Sequence, residues 1–187
     1  SESKQLGLKS GFSIFDGEDT RTLIRDLLIQ EHGAEGDQAN TIAQRISNWK
    51  NDRVLPEQAL ANARSPADIL CAQAYLRYKR ALRAYNALDF DDLILLPTIL
   101  FEHHPDILEK WQQQVHYLLV DEYQDTNTSQ YLLVKQLVGL RGQLTVVGDD
   151  DQSIYAWRGA RPENLAELQT DYPSLKIVML EQNYRST

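Results

Sequence analysis

His116-Tyr117-Leu118-Leu119-Val120-Asp121-Glu122 is a short apolar run that ends in two adjacent acids. Its length and its lack of polar alternation predict a buried strand of a parallel sheet. Ligands of open α/β sheets bind beyond the carboxyl ends of the strands. Asp121 and Glu122 therefore stand where chemistry is expected. Paired acids there also serve simply to cap the next helix. The chemical alternative is nucleotide hydrolysis. One carboxylate then holds Mg²⁺, and its neighbour orients and deprotonates the attacking water.

Working outward, Thr128 to Val138 reads as a helix stopped by Gly139, and Leu144 to Val147 as a second strand ending at Gly148. Pro162 to Gln169 reads as a helix and Lys176 to Leu180 as a third strand. Strands alternating with helices predict βαβ units on a parallel sheet. Upstream the pattern is helical. Leu23 with Leu27 and Ile24 with Leu28 fall at i,i+4 spacing, with Gly33 as the stop. Ile42, Ile46 and Trp49 form a second stripe. Ser65-Pro66-Ala67-Asp68 is a helix start, with a capping Ser, Pro at the first position and an acid in the first turn. The stripe Leu70, Ala74, Tyr78, Ala81, Tyr85 follows it, and Tyr75, Tyr78 and Tyr85 read as packing rather than as a stacking platform. Asp89-Phe90-Asp91-Asp92 opens an apolar segment through Phe101, with a kink expected at Pro97. Pro105 begins a short helix through about Gln114. The chain is thus expected to be α/β, with a helical subdomain over 1–87 and part of an α/β domain over 88–187.

The composition is that of an ordinary globular chain, 42% hydrophobic and 25% charged over 187 residues. No apolar run is long enough to cross a membrane as a helix. Ser1-Glu2-Ser3-Lys4-Gln5 lacks the apolar core of a signal peptide. Cys71 is the one cysteine, which excludes an internal disulfide and fits a cytoplasmic setting. The net charge of −8 argues mildly against nucleic acid. Yet residues 41–85 hold eight Lys/Arg against three acids, either a phosphate-binding face or the wet side of a helix.

Two further clusters lie downstream. Val147-Gly148-Asp149-Asp150-Asp151-Gln152 runs on into Ser153-Ile154-Tyr155-Ala156-Trp157-Arg158. The Gln152 amide can donate to a phosphate oxygen, and Tyr155 and Trp157 offer flat faces for unpaired bases. The last residues, Glu181-Gln182-Asn183-Tyr184-Arg185, put an Arg just beyond a strand. There it can act as an arginine finger on a transferring phosphoryl group.

Together, LLVDEYQDTNTSQY, VVGDDDQSIYAWRGARPENL and LEQNYRST resemble motifs II, III and IV of the superfamily 1A, UvrD/Rep/PcrA-like DNA helicases. ISNWKND and LDFDDLILLP add to the likeness, which is weakest over residues 18–45. The resemblance implies an ATP-dependent motor that moves 3′ to 5′ along single-stranded DNA and opens duplex at single-strand/double-strand junctions. It implies a RecA-like P-loop NTPase sheet domain and an all-α insert. It makes Asp121 the Mg²⁺ acid, Glu122 the base and Gln152 the γ-phosphate sensor. Trp157 and Tyr155 would stack on DNA, with Arg158 in the motif loop or at the strand. Arg185 would be the finger, and Tyr184 would lie against the nucleotide base.

No G-x-x-x-x-G-K-[ST] phosphate loop occurs in these residues. The expectation is therefore an excerpt of such a motor, inactive alone and inclined to self-associate through an open sheet edge. The remaining helicase domains would be its partners. Two other readings stay open, the motor part of a helicase–nuclease subunit and a non-catalytic single-strand-binding or interaction module; against a third, a DNA-independent P-loop ATPase, speaks the Tyr155/Trp157 pair.

Overall fold

A computed structural model describes residues 2–32, 37–139, 143–148 and 163–176. Their architecture is mostly helical, with two small parallel sheets. A 3-10 turn over Glu2–Leu6 leads to β1 (Ser13–Phe15) and the helices α1 (Gly17–His32) and α2 (Asp37–Asn51). Next come α3 (Pro56–Ala61), α4 (Pro66–Ala84), β2 (Ala87–Asp89), α5 (Asp92–His103) and α6 (Pro105–Gln114). The last elements are β3 (Leu118–Val120), α7 (Thr128–Val138), β4 (Leu144–Val146) and α8 (Glu163–Asp171). The expected strand at 176–180 is coil at Lys176 and lies otherwise outside the described residues, as does Gly33.

The first sheet was not legible as strands. β1 pairs in parallel with β2, Ser13 opposite Ala87 and Phe15 opposite Asp89. Residues 16–86 are therefore a helical excursion that leaves one strand and returns beside it. Its core holds Leu23, Ile24 and Leu28 of α1, Ile42 and Ile46 of α2, and one face of α4. Ser65 caps α4 as expected: its hydroxyl accepts from Asp68 N at 3.1 Å, and Asp68 accepts from Ser65 N at 3.2 Å. Arg45 also donates to Asp68, and with those hydrogen bonds it draws the carboxyl down to about 2.

The expected stripe along α4 is buried at Ala74 and Tyr78, and the buried face extends to one side of it through Cys71, Ala72, Tyr75 and Leu82. Leu70 is half-buried and Tyr85 is exposed. Tyr75 stacks on Trp49 with centroids 5.5 Å apart and donates to Val54 O at 2.9 Å. Burying a side chain of this size contributes roughly 2–3 kcal/mol, and the hydroxyl bond avoids the penalty of an unpaired phenol. Tyr75 and Tyr78 are thus packing residues, as expected; Tyr85 is not buried.

The second sheet is the β3/β4 pair, parallel and in register from Leu118↔Leu144 to Val120↔Val146, with α7 as the connection. Helix α7 begins and ends where the sequence placed it. Asn127 caps it reciprocally with Gln130, and Gly139 (φ 56°) closes it. Strand β3 is less buried than expected: Leu119 is 63% exposed and its neighbours are half-buried. Among the described residues β4 alone pairs with it, so one side of the strand lacks a cover.

Candidate functional site

The carboxyl end of β3 is built by the backbone. Val147 N donates to Val120 O at 2.8 Å, and Tyr123 N donates to Val147 O at 2.9 Å. The chain thus leaves β3, steps past β4 and is pulled back toward it. Between these two anchors sit Asp121 and Glu122, both exposed. Glu122 adopts φ 52° and ψ 41°, a left-handed conformation that costs a non-glycine residue about 1–2 kcal/mol. The anchors hold it there, helped by Glu122 N donating to Asp121 Oδ1 at 2.8 Å and Asp125 N donating to Glu122 O at 3.0 Å. Strain of this kind collects where a side chain must be aimed.

Below the acids the loop is fixed in a small core. Tyr123 is 2% exposed and packs with Tyr131 and Leu168. Burial pushes the Tyr123 phenol well up. Thr126 Oγ1 donates to Tyr123 O at 2.8 Å. Asn164, in the first turn of α8 and 1% exposed, donates through Nδ2 to Thr126 O at 2.9 Å and Thr126 Oγ1 at 3.2 Å. Tyr123 OH donates to Asn164 O at 3.4 Å. Asp171, at the far end of α8, accepts from Tyr131 and pairs with Lys135 of α7 at 3.1 Å. Sequence reasoning missed Asn164. The signal was its i,i+4 spacing from Leu168, which put an amide on an apolar helix face.

Mg²⁺ in a nucleotide site needs one or two carboxylates, since water and phosphates complete its shell. Asp121 beside Glu122 at an exposed strand end fits that requirement, and a closed protein cage does not exist: no group of three metal-binding side chains occurs among the described residues. Gln152, Tyr155, Trp157, Arg158, Tyr184 and Arg185 all lie outside the described residues. Two cavities of about 460 Å³ border other elements, one between α1, α2 and the β2–α5 turn, the other between α7 and α8.

The basic stretch at 41–85 is not one free face. Lys50 is 4% exposed and paired with Asp89 and Asp92. Arg45 holds Asp68, Arg53 holds Glu102 at 2.8 Å, and Lys79 lies 3.7 Å from Glu57. These cations answer acids of the fold, a pairing that counting charges along the sequence cannot reveal.

A parallel strand pair with two exposed acids at its carboxyl end, braced by the following helices, is the place where ligands of α/β sheets bind. Residues 1–173 match the UvrD/REP helicase N-terminal domain, and the chain belongs to that family. It is 53% identical over 188 residues to the ATP-dependent DNA helicase Rep of Salmonella typhimurium and to that of Escherichia coli K12. It is 43% identical over 187 residues to the ATP-dependent DNA helicase PcrA of Staphylococcus epidermidis. All of this chain is covered in each case, but only 28% of the Rep proteins and 26% of PcrA. The chain therefore spans little more than a quarter of the length of these relatives.

Proposed function

We propose that this chain is the hydrolysis and coupling part of an ATP-dependent, 3′–5′ single-stranded-DNA translocase and helicase of replication or repair. Residues 88–187 form part of its first RecA-like domain, and residues 1–87 a helical insert. The observation that carries the reading is the acid pair at the end of β3, with Glu122 held in a left-handed conformation. The family membership and the helicase names of its relatives support it.

In this reading Glu122 orients the attacking water and takes its proton as the water oxygen bonds to the γ-phosphorus, the bond from that phosphorus to the β-phosphate oxygen breaks, and ADP leaves with that oxygen. Asp121 holds Mg²⁺, which when bound neutralises charge on the phosphates. Gln152 reports the γ-phosphate to the DNA side, where Trp157 and Tyr155 stack on bases and Arg158 supports the loop or the strand. Arg185 is the finger, and Tyr184 lies against the adenine. Partners are single-stranded DNA, junctions and the remaining helicase domains, in the cytoplasm. With no phosphate loop among these residues, the segment alone turns over negligible ATP. The β3 edge, unpaired among the described residues, favours self-association.

The test is ATP turnover by the full-length protein with single-stranded DNA. Glu122→Gln should lower kcat at least about a hundredfold, the scale of a lost general base, with nucleotide binding retained. Turnover within threefold or so of wild type would leave Glu122 without the role that such a base has.

A further inference from the structure

We infer that Asn164 is a positioning residue that couples α8 to the hydrolytic loop; this rests on the function proposed above. Helix α8 directly follows residues 149–162, which contain Gln152, Tyr155, Trp157 and Arg158. Its first turn is attached to the acid-bearing loop by the Asn164 side chain and, more weakly, by Tyr123 OH donating to Asn164 O at 3.4 Å. The Asn164 amide grips Thr126 twice, at the carbonyl (2.9 Å) and at the hydroxyl (3.2 Å). That hydroxyl in turn donates a hydrogen bond to Tyr123 O at 2.8 Å. The bonds form a relay, Asn164 to Thr126 to Tyr123, in which each donor polarises the next. Tyr123 is the residue after Glu122, and its N–H is tied to β4 through Val147 O. A shift of α8 therefore pulls on the one loop whose strained residue carries the base.

Two observations mark this as more than packing. An apolar side chain of the same volume would fill the site beside Leu168 without any donor. Asn164 instead places there a buried amide whose Oδ1 has no partner among the described residues, a costly group to keep for packing alone. The grip also joins two elements far apart in sequence, 38 positions, across the loop rather than within it.

The experiment uses the full-length protein and the ratio of ATP turnover with and without single-stranded DNA. This ratio does not depend on the fraction of protein folded. A purely structural role would lower both rates together and leave the ratio unchanged. In Asn164→Ala and in Thr126→Val, which removes only the gripped hydroxyl, the ratio should fall roughly tenfold, with the KM for ATP within about twofold of wild type; supporting residues behind a site typically act on this scale. Should Asn164→Ala not fold, Thr126→Val carries the test. A wild-type ratio in either variant overturns the inference. Absence of DNA-stimulated turnover in the wild-type protein itself would overturn the functional reading, and this inference with it.

Discussion

Lys50 Nζ lies 2.7 Å from Asp89 Oδ2, although the two residues are 39 positions apart and both are buried. The same ammonium reaches Asp92 Oδ1 at 2.9 Å and sits 5.1 Å from the Tyr78 ring centre. Tyr78 OH donates to the same Asp89 oxygen at 2.7 Å, and Ser129 of α7 donates to Lys50 O at 2.7 Å. One charge cluster thus fastens α2, α4, β2, α5 and α7 together. One cation faces two carboxylates, so they are not equivalent. Asp89, with Lys50 and Tyr78 both donating to it, is held below the ordinary carboxylate range despite its burial. Burial wins at Asp92, which is raised to about 6.

Asp89→Ala should therefore be severe. It strands a buried ammonium and the Tyr78 hydroxyl, and breaking a buried pair costs about 3–5 kcal/mol. Asp92→Asn removes an unfavourable charge and keeps one of the two acceptors that Lys50 Nζ and Asp89 N use, so it should cost only about 1 kcal/mol. Urea denaturation of the two variants at pH 7 measures the difference, and equal losses would contradict the asymmetry.

The pH dependence has an unusual sign. Asp92 binds its proton more tightly folded than unfolded, because its folded value of about 6 exceeds the ordinary 3.8. Proton uptake then favours the folded state, so this group adds stability as pH falls through 6 toward 4. Asp91, also raised by burial, acts in the same direction. Asp68 and Asp89 are lowered and act oppositely, but only below about 4, where they begin to protonate. Between pH 7 and pH 5 the melting temperature should rise, and Asp92→Asn should flatten that rise.

Gly139 is required twice over. Its backbone lies at φ 56° and ψ −147°, a region essentially reserved for glycine. An added Cβ would also come within 2.7 Å of Gln112 Nε2, whose hydrogen bond to Gln136 O ties α6 to the end of α7. Gly139→Ala should cost roughly 2–3 kcal/mol, whereas Gly11→Ala, at φ 76° with open space around it, should cost only about 1 kcal/mol of strain. Thermal melts of the pair separate clash from strain.

Asn127 is the third test of the α7 frame. Its side chain accepts from Gln130 N at 2.9 Å while Gln130 Oε1 accepts from Asn127 N at 3.1 Å. Asn127→Ala should destabilise by about 1 kcal/mol, the usual value of a lost cap. Chemical denaturation showing no loss would mean that the cap is satisfied by solvent.

Helices announced themselves because their signals are local. Ser65 with Asp68, Pro105, and Gly139 fixed α4, α6 and α7 to the residue or nearly so. Strands of three residues did not. Ser13–Phe15 and Ala87–Asp89 have no period long enough to detect, and what makes them strands is each other. The stretch Asp89–Asp92 read only as the opening of an apolar segment, because nothing local says that Lys50 awaits its acids. The same limit applies at the site. Asp121 and Glu122 were legible from the strand they end; the left-handed turn at Glu122 and the grip of Asn164 depend on β4 and α8 arriving from elsewhere.

The parallel pairing of β1 with β2 has a consequence for how such a protein can change over evolutionary time. The chain departs for the helical excursion and comes back within one strand spacing, about 4.8 Å. A segment with adjoining ends is a cassette: it can lengthen, shorten or be exchanged without rethreading its host, because the entropy of closing it grows only with the logarithm of its length. Here the cassette is also locked. The Lys50 ammonium on one side and the Asp89 carboxylate on the other must be inherited as a set, since either half alone leaves an unpaired buried charge.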